Sequence, residues 1–302
     1  MDQKDRKDPK DPKLRVPLPP DPNPRAPSFS PPPGTCDTHF HVYGPPQVFP
    51  YAEDRRYTPP AAPVEHYLAM AAAVGIERGV LVQSNVHGLD LSATLDGLDK
   101  AEGRLRGIIR ADPRLSATEL EGLHAHGVRG VRLNFVPALG GEFDQGLLST
   151  IVARVLPLGW ILDLHIRPDA LGRLAEHVHT IPLPVVIDHF GGVDGRGGLD
   201  QPAVRTLFDL ARQDNVWIKL SGAYRLVDRG GDYAEVVSLA RALIAIAPDR
   251  LLWGTNWPHT GLYDVGSVPN DGELLNMVAD FAPDPAIRRT LLADNPARLF
   301  GF

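Results

Sequence analysis

Short apolar runs rich in β-branched residues alternate with longer stretches of helical periodicity along most of this chain. Eight apolar runs predict strands at residues 36–42, 79–84, 105–111, 129–135, 160–166, 184–190, 216–222 and 250–256. The stretches that follow them predict helices near residues 63–74, 90–102, 116–126, 146–157, 169–179, 202–213, 233–247 and 271–292. Eight strand–helix repeats close a (β/α)8 barrel, whose strands are buried on both faces and therefore continuously apolar. The pattern predicts an α/β protein with a single TIM-type barrel over residues 35–302.

An open, doubly wound parallel sheet is the alternative arrangement of the same elements. Such sheets commonly bind nucleotides through a Gly-rich loop that follows a strand. The chain has no GxGxxG motif after its first predicted strand and no GxxxxGK[ST] motif, so we favour the closed barrel.

The first 34 residues differ in composition from the rest of the chain. They contain eleven prolines, and residues 1–15 combine six Lys or Arg with four Asp. Because such a segment has little apolar surface to bury, it predicts a disordered or extended, polyproline-like arm over residues 1–34. An arm that docks on the barrel and covers part of it is the alternative.

Composition excludes several classes of partner. The 302 residues include 31 Lys and Arg against 37 Asp and Glu, a net charge of -6, so the chain lacks the basic excess that nucleic-acid binding needs. No apolar run approaches the roughly 18 to 20 residues of a membrane helix, and the N-terminus is too polar for a signal peptide. The one cysteine, Cys36, cannot form an intrachain disulfide, which suits a reducing compartment. We expect a soluble cytoplasmic protein that acts on a small molecule.

Polar side chains cluster where the predicted strands end. His39 and His41 are two residues apart, so they share one face of the first strand. His165, His189 and Asn256 close the fifth, sixth and eighth strands. Barrel enzymes hold their active sites at the carboxyl ends of the strands. A single inward histidine is commonly a core residue, but four histidines at three strand ends predict a functional site.

Five separated motifs then carry a family resemblance. They are Asp-Thr-His-Phe-His at 37–41, Ile-Asp-His-Phe-Gly at 187–191, Lys-Leu-Ser-Gly-Ala-Tyr-Arg at 219–225, Trp-Gly-Thr-Asn-Trp-Pro-His at 253–259 and Asn-Pro-Ala-Arg-Leu-Phe at 295–300. In this order they resemble the amidohydrolase superfamily, and within it the 2-pyrone-4,6-dicarboxylate lactonase group. The resemblance extends from about residue 33 to the C-terminus and leaves the arm out.

The resemblance implies a hydrolase that opens a cyclic ester formed in the bacterial breakdown of aromatic acids, without a catalytic metal. In that group an aspartate closes the eighth strand as the general base, whereas this chain has Asn256 there. An amide can position water but is a poor proton acceptor, and losing a general base typically costs ~10²- to 10⁴-fold in rate. Either the chain is an inactivating Asp-to-Asn variant, which we favour because the two side chains have almost the same shape, or it uses Asp163 or a histidine instead.

Ester hydrolysis also needs donors that polarise the carbonyl and cations that bind the anionic groups of the substrate. His39, His41 and His189 are the candidates for the first task. The resemblance implies that Arg132 and Arg225 bind substrate, with further contacts from Tyr57, Asn85 and His165. Salt bridges at loop bases would explain the arginines equally well, and loop packing would explain Tyr57.

Two arginines of the lactonase pattern are missing, with Ala138 and Gly192 at the approximately aligned positions. We therefore expect a substrate with fewer or differently placed anionic groups, such as a muconolactone-like, sulfonated or sugar-acid lactone. Arg110 and Arg167, also near strand ends, are candidates to compensate.

Three other functions remain open at this point. The first is a metal-dependent decarboxylase or hydrolase in which His39, His41 and His165 bind zinc or manganese. The second is an isomerase that moves a proton on a sugar-acid lactone and admits no water. The third is a binding protein without catalysis that uses the same cleft.

Overall fold

The computed structural model describes residues 15–139, 141–227 and 233–302. Within these ranges eight strands form one sheet, every pair parallel and hydrogen-bonded in chain order. The strands β1 to β8 span Cys36–Phe40, Arg78–Val82, Leu105–Arg110, Val128–Phe135, Ile161–Ile166, Val185–Ile187, Val216–Ser221 and Leu251–Gly254. The predicted (β/α)8 architecture is therefore confirmed.

The barrel closes where the end of β1 meets the turn that follows β8. The Asn256 amide donates to the His39 carbonyl, and the His41 amide donates to the Trp257 carbonyl, both at 2.8 Å. These two bonds continue the parallel ladder across the seam. They also fix the backbone of both predicted histidines of β1 against that of Asn256.

A buried carboxylate fastens the same seam. Asp37 accepts from the Thr255 amide at 2.9 Å, from the Thr255 hydroxyl at 2.6 Å and from the His39 amide at 3.0 Å. The register of β1 on β2 shifts between Asp37 and Phe40. Because of this bulge, Asp37 lies within hydrogen-bond distance of the Tyr67 hydroxyl on the outer helix layer, while His39 meets other histidines inside the barrel.

Ten helices accompany the strands in the described ranges. The helices α1 to α10 span Val64–Val74, Ser92–Lys100, Ala117–Ala125, Gln145–Val155, Leu171–His177, Pro202–Ala211, Ala234–Ile246, Asp271–Phe281, Pro285–Arg289 and Asn295–Phe300. The longer helices bury an apolar stripe; in α6 it includes Val204, Leu207 and Leu210, which recur at helical spacing. None of the helices in the described ranges is long and apolar enough to cross a bilayer.

The single helix predicted over residues 271–292 is wrong. The chain leaves the helix after Phe281, and α9 begins at Pro285. Pro283 and Pro285 cannot donate amide hydrogen bonds and so do not continue a helix. The Asp284 side chain instead accepts from the Ala286 amide at 2.8 Å and caps the new helix.

Two predicted strand ends are also wrong. β6 stops at Ile187 and β8 at Gly254, so His189 and Asn256 lie in the turns that follow. Both have left-handed backbones, with φ of 52° and 61°. Such a conformation is rare for residues with a side chain and breaks the strand, and it turns both side chains away from strand geometry.

The described part of the arm, residues 15–34, has no regular secondary structure and lies against the barrel. Asn270, which caps α8, accepts from the Arg25 amide at 3.0 Å and donates to Asp21 Oδ2 at 2.9 Å and to the Asn23 carbonyl at 3.0 Å. One side chain therefore caps a helix and binds the arm. The charged stretch at 1–14 lies outside the described residues.

Candidate active site

The predicted convergence of histidines is present in the structure. The His39 ring lies 5.0 Å from that of His41 and 4.6 Å from that of His189, measured between centroids. The His165 ring lies 5.5 Å from that of His189. Side chains from β1, β5 and the turn after β6 thus form one cluster at the carboxyl end of the barrel.

His41 has a defined tautomer. Its Nδ1 lies 2.7 Å from the Val82 carbonyl, which can only accept, so Nδ1 carries the proton and donates. Burial lowers the pKa of His41 to about 3, which keeps the ring neutral at neutral pH. Its Nε2 therefore presents a lone pair, and His41 is an acceptor towards a ligand.

His189 is oriented by a neighbouring strand. Its Nδ1 lies 2.8 Å from the Ser221 hydroxyl at the end of β7. Burial lowers the pKa values of His189, His165 and His39 well below the ordinary value for histidine. The cluster therefore consists of buried, neutral imidazoles.

A buried charge network lies beneath the histidines. Arg132 Nη2 donates to Asp188 Oδ2 at 2.8 Å, and Lys219 Nζ lies 3.1 Å from Asp188 Oδ1. Lys219 also forms an ion pair with Asp163, whose Oδ1 lies 3.4 Å from Arg132 Nε. Burial opposes the charge on Asp188, but the positive charges of Lys219 and Arg132 outweigh it and hold the pKa of Asp188 well below the usual range.

Asp188 and Lys219 are not among the site residues predicted from the sequence. The sequence nevertheless indicates a buried ion pair, because Lys219 interrupts one apolar barrel strand and Asp163 interrupts another. A charge in a strand that is buried on both faces needs a partner inside the barrel. Two strands with opposite charges therefore indicate an internal ion pair, although the pattern does not say which residues meet.

Asn256 is almost fully buried and faces two donors. Oriented with its oxygen towards them, the amide accepts from Arg225 Nε at 3.2 Å, from Arg225 Nη2 at 3.1 Å and from the Tyr224 hydroxyl at 2.7 Å. These are the contacts that a carboxylate would make. Asn256 and Arg225 are site residues predicted from the sequence, whereas Tyr224 is not.

A cavity of about 850 Å³ opens at the ends of β2, β3 and β4. Its lining includes Asn85, Arg110, Arg132 and Asn134. Arg132 contacts Asp188 as well, so it connects the cavity to the charge network under the histidines. Asn85, from a turn that begins just past β2, and Arg132 thus lie where a ligand could reach them.

The other predicted contacts are more dispersed. The Tyr57 hydroxyl lies 3.0 Å from that of Tyr43, and Arg225 donates to the Thr260 carbonyl at 2.6 Å. Arg167 has a side chain that is 53% exposed, with Nε 3.5 Å from Asp169. Of the two arginines expected to compensate for the missing ones, Arg110 lines the cavity and Arg167 points to solvent.

One group of buried side chains is close enough to share a divalent metal, but it is not the predicted group, and a lysine ammonium lies against it. In the described part of the chain, the group of three side chains close enough to share an ion is His39, Asp188 and His189, with ligand atoms within 4.8 Å of one another. The predicted set with His41 and His165 is not brought together in this way. Lys219 Nζ already lies 3.3 Å from His39 Nδ1 and 3.1 Å from Asp188 Oδ1, so a second cation there would meet a fixed positive charge.

Comparison with known proteins adds an independent observation. Residues 36–302 match the family model for amidohydrolases. The chain is 49% identical over 289 residues to a 4-sulfomuconolactone hydrolase of Rhizobium radiobacter, covering 94% of this chain and 97% of that protein. It is 37% identical to a 2-pyrone-4,6-dicarboxylate hydrolase of Comamonas testosteroni, covering 92% and 93% respectively. An apo crystal structure from Agrobacterium tumefaciens has a TM-score of 0.84 at 28% identity, covering 93% of this chain and 99% of that one.

Proposed function

Since this chain belongs to the amidohydrolase family, we propose that it is an enzyme that opens a small anionic lactone by attack of water on the cyclic ester. The relatives named as hydrolases of 4-sulfomuconolactone and 2-pyrone-4,6-dicarboxylate support a lactone from aromatic-compound catabolism. The observation that carries the proposal is the cluster of neutral, buried imidazoles beside a cavity lined by arginines.

Each histidine of the cluster has a separate task. His39 and His189 polarise the lactone carbonyl and stabilise the oxyanion that forms when water attacks. His41, with its Nε2 lone pair, accepts a hydrogen bond from the attacking water and orients it. His165, against His189, shapes the floor on which the ring of the substrate rests.

Proton removal from water is the step that this chain performs poorly. The amide of Asn256 lies where a general base is needed and contacts Arg225 and Tyr224 as a carboxylate would, but it does not accept a proton. We propose that position 256 works as the base when it carries an aspartate. Its partners Arg225 and Tyr224 would then stabilise the charged form of the carboxylate.

The substrate carries its anionic groups where the cavity holds its cations. Arg132 and Arg110 line that cavity, and Arg225 lies at the opposite side of the site next to Asn256. A sulfonated muconolactone suits this arrangement, because a sulfonate and a carboxylate can each face one arginine. The relative with 49% identity is named for such a compound.

The reaction is proposed to need no metal, and the protein to act in the cytoplasm. The metal-free reaction is supported by the ammonium of Lys219, which forms ion pairs with Asp163 and Asp188 in the place where a metal ion would bind. A cytoplasmic location is supported by Cys36, the single cysteine, which is buried and forms no disulfide. Stoichiometric zinc or manganese in protein purified without added metal, with activity abolished by a chelator, would contradict the metal-free mechanism.

Ring opening in water labelled with ¹⁸O tests the proposal. The protein and its Asn256→Asp variant are incubated with 4-sulfomuconolactone and with 2-pyrone-4,6-dicarboxylate, and acid release and product mass are followed. We expect one labelled oxygen in the open-chain product and preference for the sulfonated compound. An isomerised product without label would support the isomerase, and no turnover of any lactone by either protein would support a binding protein.

A further inference from the structure

Lys219 is a fully buried lysine that the proposed chemistry does not use. It extends from β7 into the barrel and forms an ion pair with Asp163. Its Nζ also lies 3.1 Å from Asp188 Oδ1 and 3.3 Å from His39 Nδ1. Burial opposes its charge, but attraction to the two carboxylates outweighs this and raises the pKa of Lys219.

The side chains around this ammonium are of the same types as the ligands of a metal centre. One imidazole nitrogen and two carboxylates converge on Nζ, which are the ligand types that hold zinc or manganese in proteins. Lys219 and Arg132 each pair with both Asp163 and Asp188, so two cationic side chains and two carboxyl groups form one buried network. The lysine thus supplies as part of the chain a cation that would otherwise have to be bound.

We propose that Lys219 is the resident cation of this site and the residue that sets the tautomer of His39. An ammonium can only donate hydrogen bonds, so its contact with His39 Nδ1 requires a lone pair on that nitrogen. Asp188 Oδ1 lies 3.2 Å from the same Nδ1 but receives no hydrogen bond from the described residues. The neutral ring therefore carries its proton on Nε2.

This assignment gives opposite roles to His39 in β1 and His41 just after β1. His39 presents an N–H at Nε2, which is buried and has no partner among the described residues, while His41 presents a lone pair. Their rings lie 5.0 Å apart, so a donor and an acceptor stand side by side. If the protein is a lactone hydrolase as proposed, the donor faces the carbonyl and the acceptor holds the water.

Nitrogen NMR tests the assignment without any substrate, so its outcome does not depend on the proposed function. The full-length protein is labelled with ¹⁵N in its histidine rings, and a His39→Gln variant identifies the signals of His39. We expect the pattern of the Nε2–H tautomer, with an unprotonated Nδ1. A His39 that carries its proton on Nδ1, or is doubly protonated at neutral pH, would overturn the proposal.

A pair of lysine variants separates this role from structural support. In Lys219→Met, the ammonium is lost and we expect the His39 proton to move from Nε2 to Nδ1, where Asp188 can accept it. Lys100→Met is the matched control, since Lys100 also pairs with two carboxylates, Glu65 at 2.6 Å and Asp96 at 2.9 Å, but lies on the surface. An unchanged His39 tautomer in folded Lys219→Met would contradict the role; if that variant does not fold, the tautomer of the unmodified protein decides.

Cobalt binding to the unmodified protein tests whether Lys219 is the resident cation of the site. Co²⁺ is added and the absorption bands of bound cobalt are followed together with the His39 ¹⁵N signals. We expect no bands and no paramagnetic broadening of His39, because Lys219 fills the position. Binding of one equivalent of cobalt that broadens the His39 signals would overturn it.

Discussion

The guanidinium of Arg225 faces the side-chain oxygen of Asn256 through two nitrogens, Nε at 3.2 Å and Nη2 at 3.1 Å. Arginine binds a carboxylate most strongly when two of its nitrogens donate to the two carboxylate oxygens. Here they meet an amide, which accepts them but carries no charge. The surroundings of position 256 are thus suited to a charged group that this chain does not have.

Replacing Asn256 with aspartate should activate the enzyme. The carboxylate would keep the contacts with Arg225 and Tyr224, remain ionised because of the arginine, and remove a proton from water. We expect kcat for lactone hydrolysis to rise by ~10²- to 10⁴-fold, the usual contribution of a general base. The measurement is acid release from 4-sulfomuconolactone at neutral pH.

The matched control for this change is Asn85→Asp. Asn85 is also an amide at the carboxyl end of the barrel, and it lines the cavity rather than facing Arg225. We expect no gain from this variant. An equal gain from both variants would mean that any carboxylate near the cavity suffices and that position 256 has no special role.

Arg110 should bind an anionic group of the substrate. It lines the cavity together with Arg132, and burial lowers its pKa without removing its charge. A hydrogen bond to a charged group contributes about 1.5 to 3 kcal/mol, so Arg110→Met should raise KM for a sulfonated lactone by roughly 10- to 100-fold. Because this contact is the same in ground and transition states, kcat should change little.

Arg167→Met serves as the comparison for Arg110. Its side chain is 53% exposed and lies near Asp169, away from the cavity lining. We expect unchanged KM and kcat. A loss in this variant that matches the loss in Arg110→Met would favour a general effect of surface charge over a specific subsite.

The buried histidines should make the protein sensitive to acid. His41 has a pKa of about 3 in the folded state against 6.5 in its ordinary state, so the unfolded chain binds more protons between these values. Its contribution to stability is present above pH 6.5 and is lost as the pH falls, by up to about 1.4 kcal/mol per pH unit. The same direction holds for His39, His165 and His189.

Two buried carboxyls act in the opposite direction. Burial raises the pKa of Asp37 to about 6 and also raises the pKa of Asp163. The contribution of each carboxyl to the stability of the fold is therefore lost as the pH rises towards its raised pKa. Four histidines outweigh them, and urea unfolding at pH 7 and pH 5.5 should show lower stability in acid. His41→Gln should reduce this difference, whereas a variant of the exposed His179 should not. An equal pH dependence in both variants would contradict the assignment.

Asn270 should control whether the arm stays on the barrel. Asn270→Ala removes the N-cap of α8 and three hydrogen bonds to the arm, at Asp21, Asn23 and Arg25. We expect a loss of about 1 kcal/mol from the cap and faster trypsin cleavage after Arg25. Ser116→Ala removes the side-chain cap of α3, where Ser116 accepts from the Glu119 amide, so it should lose similar stability without faster cleavage in the arm.

The fold was predictable because barrel strands are buried on both faces and therefore appear as apolar runs. The positions of His39, His41 and His165 followed from strand direction alone. The left-handed turns at His189 and Asn256 did not, because those conformations depend on the loop rather than on a repeating pattern. Pro283 and Pro285 indicate the break between α8 and α9. The prediction of a single helix followed the apolar periodicity of the segment and gave these prolines too little weight.

The chemistry of the site was less accessible from the sequence than its location. Which nitrogen of His41 carries the proton depends on the Val82 carbonyl, which belongs to the next strand. The partners of Lys219 come from β1, β5 and the turn after β6, and only their positions in three dimensions show that they share one ammonium. Spacing along a strand shows which face a residue occupies but not what it meets across the barrel.

The contact between Asp37 and Thr255 joins residues 218 positions apart. During synthesis, a chain that has left the ribosome only as far as β7 contains the four clustered histidines but lacks the turn that aligns His39 with Asn256. Non-local closure of this kind is slow and leaves a strand edge exposed while it waits. The seam between the first and last strands is therefore the place where newly made chains of this protein are most exposed to misassembly and where a chaperone has most to protect.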